Sequence, residues 1–318
     1  MKIIGIRGSK GKSTVAKITI KYLLNKRYKI GYFNGKELLI YKKNKKNIYE
    51  VNNYKDLLVS KVEYLIVEIH YESILYNLGL ELINYDLVLE TNIIETSYLN
   101  FGIKENFYRA LKMLENLNAI VKIQSKDSLD DIEIIRNNTN GLIFKYKNLK
   151  YKSKLITSLN IENINSAIKI LEKLEVYNSQ RFRRIIKKIQ FKNTLEVKKT
   201  NNKTIIFDRD LINLPITLKS IAEAINDYNY EIVYELSELT SKDEEHLKLM
   251  YKELKKSLHV YILLKDELNQ KTNFRDTINK AFNNSSFSFE IINKINQSIL
   301  KNKKSDYLII LTNIREGE

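Results

Sequence analysis

Gly8-Ser9-Lys10-Gly11-Lys12-Ser13-Thr14 is the stretch on which the reading of this chain turns. An apolar run, residues 3–6, precedes it, and residues 15–24 behind it read as a helix. The order is strand, glycine-rich loop, helix. Two close glycines let the backbone turn tightly with its N–H groups inward, which makes an anion nest. The following helix aims its unpaired N–H groups and positive dipole end at the same point. Lys12 adds a charge for outer phosphates, and Ser13 or Thr14 a hydroxyl for magnesium. Gly8, Ser9, Lys10, Gly11, Lys12, Ser13 and Thr14 are therefore expected to hold a nucleotide's phosphates. The longer Walker pattern has another glycine five residues before Gly11, where this chain has Ile6.

A chain of 318 residues has room for two domains, and 43% apolar residues suffice for real cores. No apolar run reaches the ~20 residues that span a bilayer. The chain enters a strand at once, so no signal peptide is expected. With no cysteine, disulfides and thiolate metal sites are excluded. A cytoplasmic location is expected. The net charge of +16 invites nucleic acid as a partner. The lysines are spread along the chain, however, and runs such as Lys42-Lys43-Asn44-Lys45-Lys46 fall between strands as solvated loops. Nucleic-acid binding is not expected; the charge helps to attract ATP or a polyanionic substrate.

Outward from the loop, residues 2–6 form the first strand and 13–26 the first helix. A strand at 28–33 ends in Asn34-Gly35, and 38–41 with 48–51 form a hairpin. After a helix at 56–62, the apolar run 64–68 reads as a buried strand ending in Val67-Glu68. A carboxylate at the carboxyl end of a parallel strand, beside a phosphate loop, is placed to hold magnesium. His70 follows and is read as structural, the commoner role of a lone histidine, with a ligand role as the alternative. Next come a helix at 73–80 and a strand at 87–90 that runs into Thr91-Asn92-Ile93. The amphipathic helix 105–117 has Phe107, Leu111 and Leu114 on one face and Lys112 near its apolar edge. A strand at 119–123, a helix at 129–136, a hairpin at 142–146 and 150–152, and helices at 161–174 and 179–189 complete a domain over 1–192.

The domain over 193–318 starts with strands at 195–198 and 204–207, the second ending at Asp208. Asp208 is a candidate polar contact to ribose or to the linker. Pro215 sits at a favoured first-turn position. Strands follow at 231–234, 260–264, 287–291 and 307–311. Helices are expected at 241–258, where Ser241 and Glu244 make a capping box, and at 274–282 and 292–300. His246 and His259 read as surface or packing residues. Alternation of strands and helices argues for an α/β fold. The first domain is a doubly wound parallel sheet, and the second a smaller Rossmann-like domain without a G-x-G-x-x-G dinucleotide signature.

Four segments, in order, resemble the Mur ligase family, ATP-dependent ligases that join a carboxylate to an amine. The glycine loop resembles G-T-x-G-K-[ST]-[ST]. Val67-Glu68, Gly79, Asp86, Val88 and Thr91-Asn92-Ile93 resemble E-x-S-S … D-V-x-x-x-T-N-I. Tyr108-Arg109-Ala110-Leu111-Lys112 resembles the helix whose lysine is carbamylated in many members. Asn160-Ile161-Glu162-Asn163 with Ser166-Ala167 resembles N-x-x-N-x-x-A-A, beside the nucleotide. The likeness covers about residues 1–220. It implies that Lys12 and the loop backbone hold the phosphates of ATP. It further implies that Ser13 and Glu68 hold Mg2+, that carbamylated Lys112 bridges a second Mg2+, and that Asn160 and Asn163 border the nucleotide. The implied chemistry is phosphorylation of a carboxylate by ATP, then attack of an amine on the acyl phosphate. Charge on the transferred group is neutralised by the cation and Lys12, and water is shut out by a mobile second domain.

The chain also departs from that pattern. Where the family has D-H-L-D, it has Thr96-Ser97-Tyr98-Leu99, so Ser97 stands in place of a metal-binding histidine as a poorer ligand. The junction G-R-x-E is Asn193-Thr194-Leu195-Glu196, without the arginine. D-Y-A-H-x-P becomes the longer run from Asp208 to Pro215, without the histidine. The loop begins near residue 8, so no UDP-sugar domain is expected before it, which argues against a peptidoglycan precursor ligase. Ile6-Arg7-Gly8, Asn213-Leu214-Pro215 and Thr312-Asn313-Ile314 are similar to the poly-γ-glutamate synthetase ligase subunit. In a polymer-export system a membrane-protein partner follows. The expected function is thus an acid–amine ligase. The alternatives are a catalytically altered Mur-like ATP-binding regulatory or assembly subunit, and a P-loop partitioning or transport ATPase, against which Glu68 and Thr91-Asn92 argue.

Overall fold

The structure, a computed structural model, describes residues 1–42, 45–75, 78–94, 97–98, 104–125, 131–192, 194–209, 214–226, 229–236, 252–254, 257–264, 288–301 and 305–312. The chain divides into two units. The first is Met1–Asn137, Gly141–Lys154 and Ser158–Ile189; the second is Asn138–Asn140, Leu155–Thr157 and Gln190–Glu318.

The first unit is built on strand β1 (Lys2–Arg7), whose Ile3, Ile4 and Ile6 are buried. It lies between β5 (Tyr64–Ile69) and β6 (Tyr85–Glu90), parallel to both. Around it β2 (Ile30–Phe33), β3 (Glu37–Lys42), β4 (Lys45–Glu50) and β7 (Ala119–Gln124) complete a seven-stranded sheet of order β4-β3-β2-β5-β1-β6-β7. The β2–β3 and β3–β4 pairs are antiparallel and the other pairs parallel, so β3 alone runs against the rest. Register sets Glu68 beside Ile6 and Glu90 beside Arg7. The carboxyl ends of β1, β5 and β6 therefore share one edge.

Helix α1 (Lys12–Asn25) buries Val15, Ile18, Tyr22 and Leu23. Its Tyr22 hydroxyl donates to the Val176 carbonyl at 2.8 Å and accepts from the Asn178 N–H at 2.7 Å. These two bonds fix the turn between α5 (Ser158–Lys173) and α6 (Ser179–Ile186), which Asn178 caps through the Arg181 N–H. The short helices α2 (Tyr54–Leu58) and α3 (Tyr71–Leu75) and the longer α4 (Lys104–Glu115) fill the connections. Strands β8 (Ile132–Asn138), β9 (Gly141–Tyr146) and β10 (Leu149–Ser153) form a separate antiparallel sheet.

Three expectations are corrected. The helix expected over 129–136 is strand β8, as far as the described residues reach. Ile132, Ile134 and Ile135 are β-branched and suit a strand, and β9 supplies a partner. The helix expected over 73–80 begins and ends early, and Gly79, at φ 73°, leads instead into a short 3-10 turn, Leu80–Leu82. The helix expected over 292–300 is Gln297–Lys301 (α8), because Ile292 still belongs to a strand. The helix expected over 274–282, the Ser241–Glu244 capping box and most of the helix expected over 241–258 lie outside the described residues, as do His246, Thr96, Asn193, Asn213 and Asn313.

The second unit carries β11 (Glu196–Lys199), β12 (Thr204–Asp208), β13 (Tyr230–Leu236), β14 (His259–Leu264), β15 (Ser288–Ile292) and β16 (Tyr307–Leu311), in the order β11-β12-β16-β13-β14-β15. All pairs but β11–β12 are parallel, and helix α7 (Leu214–Ile225) begins beside Pro215. At the amino-terminal edge of this sheet Glu231 is fully buried. It pairs with Lys203 at 2.8 Å and accepts the Ser305 hydroxyl at 2.9 Å. A carboxylate is tolerated there because its oxygens are bonded. His259 bonds Ser288 at 2.7 Å and packs on Tyr261, a packing role.

At the opposite end of β1 from its loop, Asp86 accepts the Ile3 N–H at 2.8 Å and the Lys2 ammonium at 2.9 Å. Burial works to raise its pKa, but these two donors, with the amino terminus, outweigh it and hold the carboxyl below its ordinary value. Such a group stabilises the fold above its unfolded pKa of about 3.9, and that stability is lost as pH falls through the lower folded value. Asp86→Asn should lower stability by about 1–2 kcal/mol at neutral pH and flatten the loss of stability below about pH 4. Urea midpoints measured across that range check both.

Candidate functional site

The glycine loop is clasped by the chain that leaves β6. Thr91 donates its N–H and its hydroxyl to the Arg7 carbonyl, at 2.8 and 3.0 Å. The Ser9 N–H donates to the Asn92 carbonyl at 2.8 Å, and the Ser9 hydroxyl accepts the Ile94 N–H at 2.8 Å. Lys10 forms a single antiparallel bridge to Asn92. The Asn92 amide then donates to Glu162 on α5 at 2.6 Å. Loop, β6 exit and α5 thus form one bonded unit.

Glycine is required where this clasp is tightest. Gly8 has φ 122°, and a Cβ there would lie 2.2 Å from the Thr91 hydroxyl and 3.0 Å from its backbone. Gly11 has φ 99°, and a Cβ would lie 2.2 Å from the Asn163 amide oxygen. Asn163 is therefore against the loop, and its amide donates to Asn160 at 3.3 Å. Helix α1 opens at Gly11 with no side-chain cap and no acidic residue in its first turn, so its positive end is left for an outside anion. The Lys12 ammonium, on a side chain buried in the loop, rests on the carbonyls of Gly8 at 2.6 Å and Ser9 at 3.3 Å. Thr14, the next hydroxyl after Ser13, is buried in α1.

Beside α1, Glu68 is 1% exposed. Its carboxylate accepts the Ser13 hydroxyl at 2.8 Å and a short bond from the Tyr32 phenol, and His70 Nε2 stands 3.5 Å away. Burial works to raise the Glu68 pKa; His70, Tyr32 and Ser13 outweigh it and keep the carboxyl below its ordinary value. The same burial, together with the Glu68 charge, drives the Tyr32 phenol far upward, so it stays protonated and donates. An ionised carboxylate with a serine hydroxyl on one oxygen is a donor set that suits a hard divalent cation. Among the described residues no three acidic, histidine or cysteine side chains come together. A cation here would complete its shell from nucleotide and water.

A cavity of about 200 Å³ opens on the other side of the loop. Arg7 and Glu90 form an ion pair in its wall, with Gly8, Tyr71, Leu111 and Leu114 around them. The Arg7 guanidinium also donates to the Leu114 carbonyl, while its Nε is buried without a partner. Burial pushes the Tyr71 phenol up to about 12.

The structure thus brings together Gly8, Ser9, Lys10, Gly11, Lys12, Ser13, Glu68, Asn160 and Asn163. Lys112 is exposed on α4, next to the cavity-lining Leu111. Ser97 is 3% exposed, and its N–H bonds the Ile94 carbonyl at 3.1 Å. Asp208 is in the second unit, where its carboxylate accepts the Arg209 N–H at 3.0 Å. Tyr32, Arg7, Glu90 and Tyr71 stand at the site although no motif marks them as site residues. Tyr32 offered one signal: it is the one polar-tipped residue of a buried strand.

A glycine loop at the carboxyl edge of a parallel sheet, followed by a second α/β unit, defines the class. The particular fold is that of the Mur ligases. No protein-family model matches the chain, and no curated protein matches it. Solved structures do. A MurF ligase from Thermotoga maritima in complex with ADP is similar over 98% of this chain and 76% of that one, at 14% identity and TM-score 0.68. A folylpolyglutamate synthase from Mycobacterium tuberculosis, complexed with ADP and AMPPCP, covers 98% and 88%, at 11% identity and TM-score 0.64. A pseudomurein peptide ligase type C from Methanothermus fervidus covers 98% and 76%, at 12% identity and TM-score 0.64. At these identities the likeness is one of fold. No helix among the described residues is long and apolar enough to cross a membrane.

Gly8→Ala should strain the loop by about 1–3 kcal/mol and open the clasp. Faster hydrogen exchange at the Ser9 and Thr91 amides, with the amides of β13 unchanged, is the expected readout.

Proposed function

We propose that this chain is an ATP-dependent ligase of the Mur type, which activates a carboxylate as an acyl phosphate and joins it to an amine. The observation that carries the reading is the clasped glycine loop with Lys12 folded into it, flanked by an ionised Glu68 on the Ser13 hydroxyl. The N–H groups of residues 8–14 and the end of α1 receive the phosphates. Lys12 leaves its carbonyl partners to take the outer phosphates, exchanging neutral acceptors for charged ones. Ser13 and Glu68 hold Mg2+, which supplies charge neutralisation to the transferred phosphoryl group. Asn160 and Asn163 border the nucleotide, and Asp208 contacts its ribose or the linker. Lys112, as a carbamate, serves a second cation together with Ser97. A carboxylate oxygen of the substrate attacks the γ-phosphorus and ADP leaves. The amine nitrogen then attacks the acyl carbon, and phosphate leaves as the nitrogen sheds a proton.

Solved structures of the same fold with ADP or AMPPCP support the nucleotide part of this reading. The acid is proposed to be a poly-γ-glutamate-like chain, with a membrane-protein partner where such a polymer is exported. A ligase that consumes ATP works where ATP is made, so a cytoplasmic location belongs to the proposal. A second reading, a catalytically altered subunit that binds ATP, is favoured by one observation: Ser97, where the family pattern has a histidine, is buried.

Purified protein with ATP and Mg2+ should release ADP and phosphate in equal amounts only when both an acid and an amine are present. Lys12→Ala should weaken ATP binding roughly 10- to 100-fold, the scale of a lost charged partner; unchanged affinity refutes the loop assignment. Tight ATP binding without turnover across a broad acid and amine screen selects the second reading.

A further inference from the structure

His70 sits where the family pattern E-x-S-S has its first serine, and it faces the same carboxylate oxygen as Ser13. Its Nε2 is 3.5 Å from Glu68 Oε2, too far for a well-formed hydrogen bond. That nitrogen is buried and has no hydrogen-bond partner. The ring is held there by the turn after β2: Gly35 has φ 97°, and a Cβ on it would lie 2.6 Å from the imidazole Cδ2 and 2.9 Å from Nε2. Nε2 turns either an N–H or a lone pair toward this oxygen according to the ring's tautomer, and a lone pair there is placed to bind a cation beside Glu68.

Both separations from Oε2 lie close to the spacing of neighbouring ligands on one cation. With bonds of ~2.1 Å, neighbouring donors lie about 3.0 Å apart on an octahedral ion and about 3.4 Å apart on a tetrahedral one. Oε2 is 2.8 Å from Ser13 Oγ and 3.5 Å from His70 Nε2. Tyr32, bonded to the other oxygen, fixes the carboxylate from behind.

We propose that His70 is a nitrogen ligand of the cation held by Ser13 and Glu68, and that the site therefore favours a first-row transition ion such as Mn2+ over Mg2+. This rests on the reading of Ser13 and Glu68 as cation ligands. Mg2+ takes oxygen donors, whereas imidazole favours transition ions. His70→Ser restores the oxygen-only pattern and shifts the preference back toward Mg2+.

The test uses the full chain with AMPPCP and Mn2+. Electron spin echo spectroscopy of bound Mn2+ should show nitrogen modulation that changes when the protein's histidines are labelled with 15N. There are three histidines, so loss of the signal in His70→Ser assigns it. That variant should also lose about tenfold or more in Mn2+ affinity relative to Mg2+, a loss that even outer-shell changes can reach, while AMPPCP affinity in EDTA stays unchanged. Mn2+ that binds in a Glu68-dependent way without a histidine signal overturns the role of His70 and leaves the site reading standing. Mn2+ binding that survives Glu68→Gln overturns both.

Discussion

Strand β1 lies between β5 and β6 and runs parallel to both, and the site depends on that placement. Parallel pairing puts three carboxyl ends on one edge. From β1 comes the glycine loop, from β5 the Glu68 carboxylate, and from β6 the Thr91-Asn92 clasp. Each arrives from a different part of the chain. The buried isoleucines of β1 and the Asp86 anchor at its start hold the strand in register. A shift of one residue would turn Glu68 to the other face of the sheet.

On that edge the charges are arranged before any ligand arrives. The loop supplies N–H groups, an uncapped helix start and a buried lysine. Close by, a nearly inaccessible carboxylate stays ionised because its neighbours outweigh the cost of burial. Tyr32, which burial and that charge keep protonated, donates to it. This polarity, with positive groups at the loop and a negative group beside the first turn of α1, suits a phosphate bridged to a cation. The second unit uses a buried charge differently. Glu231 is closed off by Lys203, Ser305 and Tyr261 at the amino-terminal edge of its sheet, where it stabilises without facing a cleft.

Departures from the family pattern fall outside the clasp. Glu68, Thr91, Asn92, Asn160 and Asn163 are present and joined to one another or to the loop. The chain diverges at His70, at Ser97 and in the segment between the two units.

The sequence by itself determined the strand–loop–helix at residues 2–25, because glycines, an apolar run and helical spacing are local signals. It also determined the α/β class, for the same reason. It did not determine β8, which was expected as a helix and is a strand paired with β9. Nor did it reveal Tyr32 and His70 on Glu68, or the Arg7–Glu90 pair. Tyr32 and Glu68 are 36 residues apart and meet because β5 inserts between β2 and β1. Arg7 and Glu90 meet through the register of β1 on β6. Sheet order and register are long-range choices made by packing, and no local pattern encodes them.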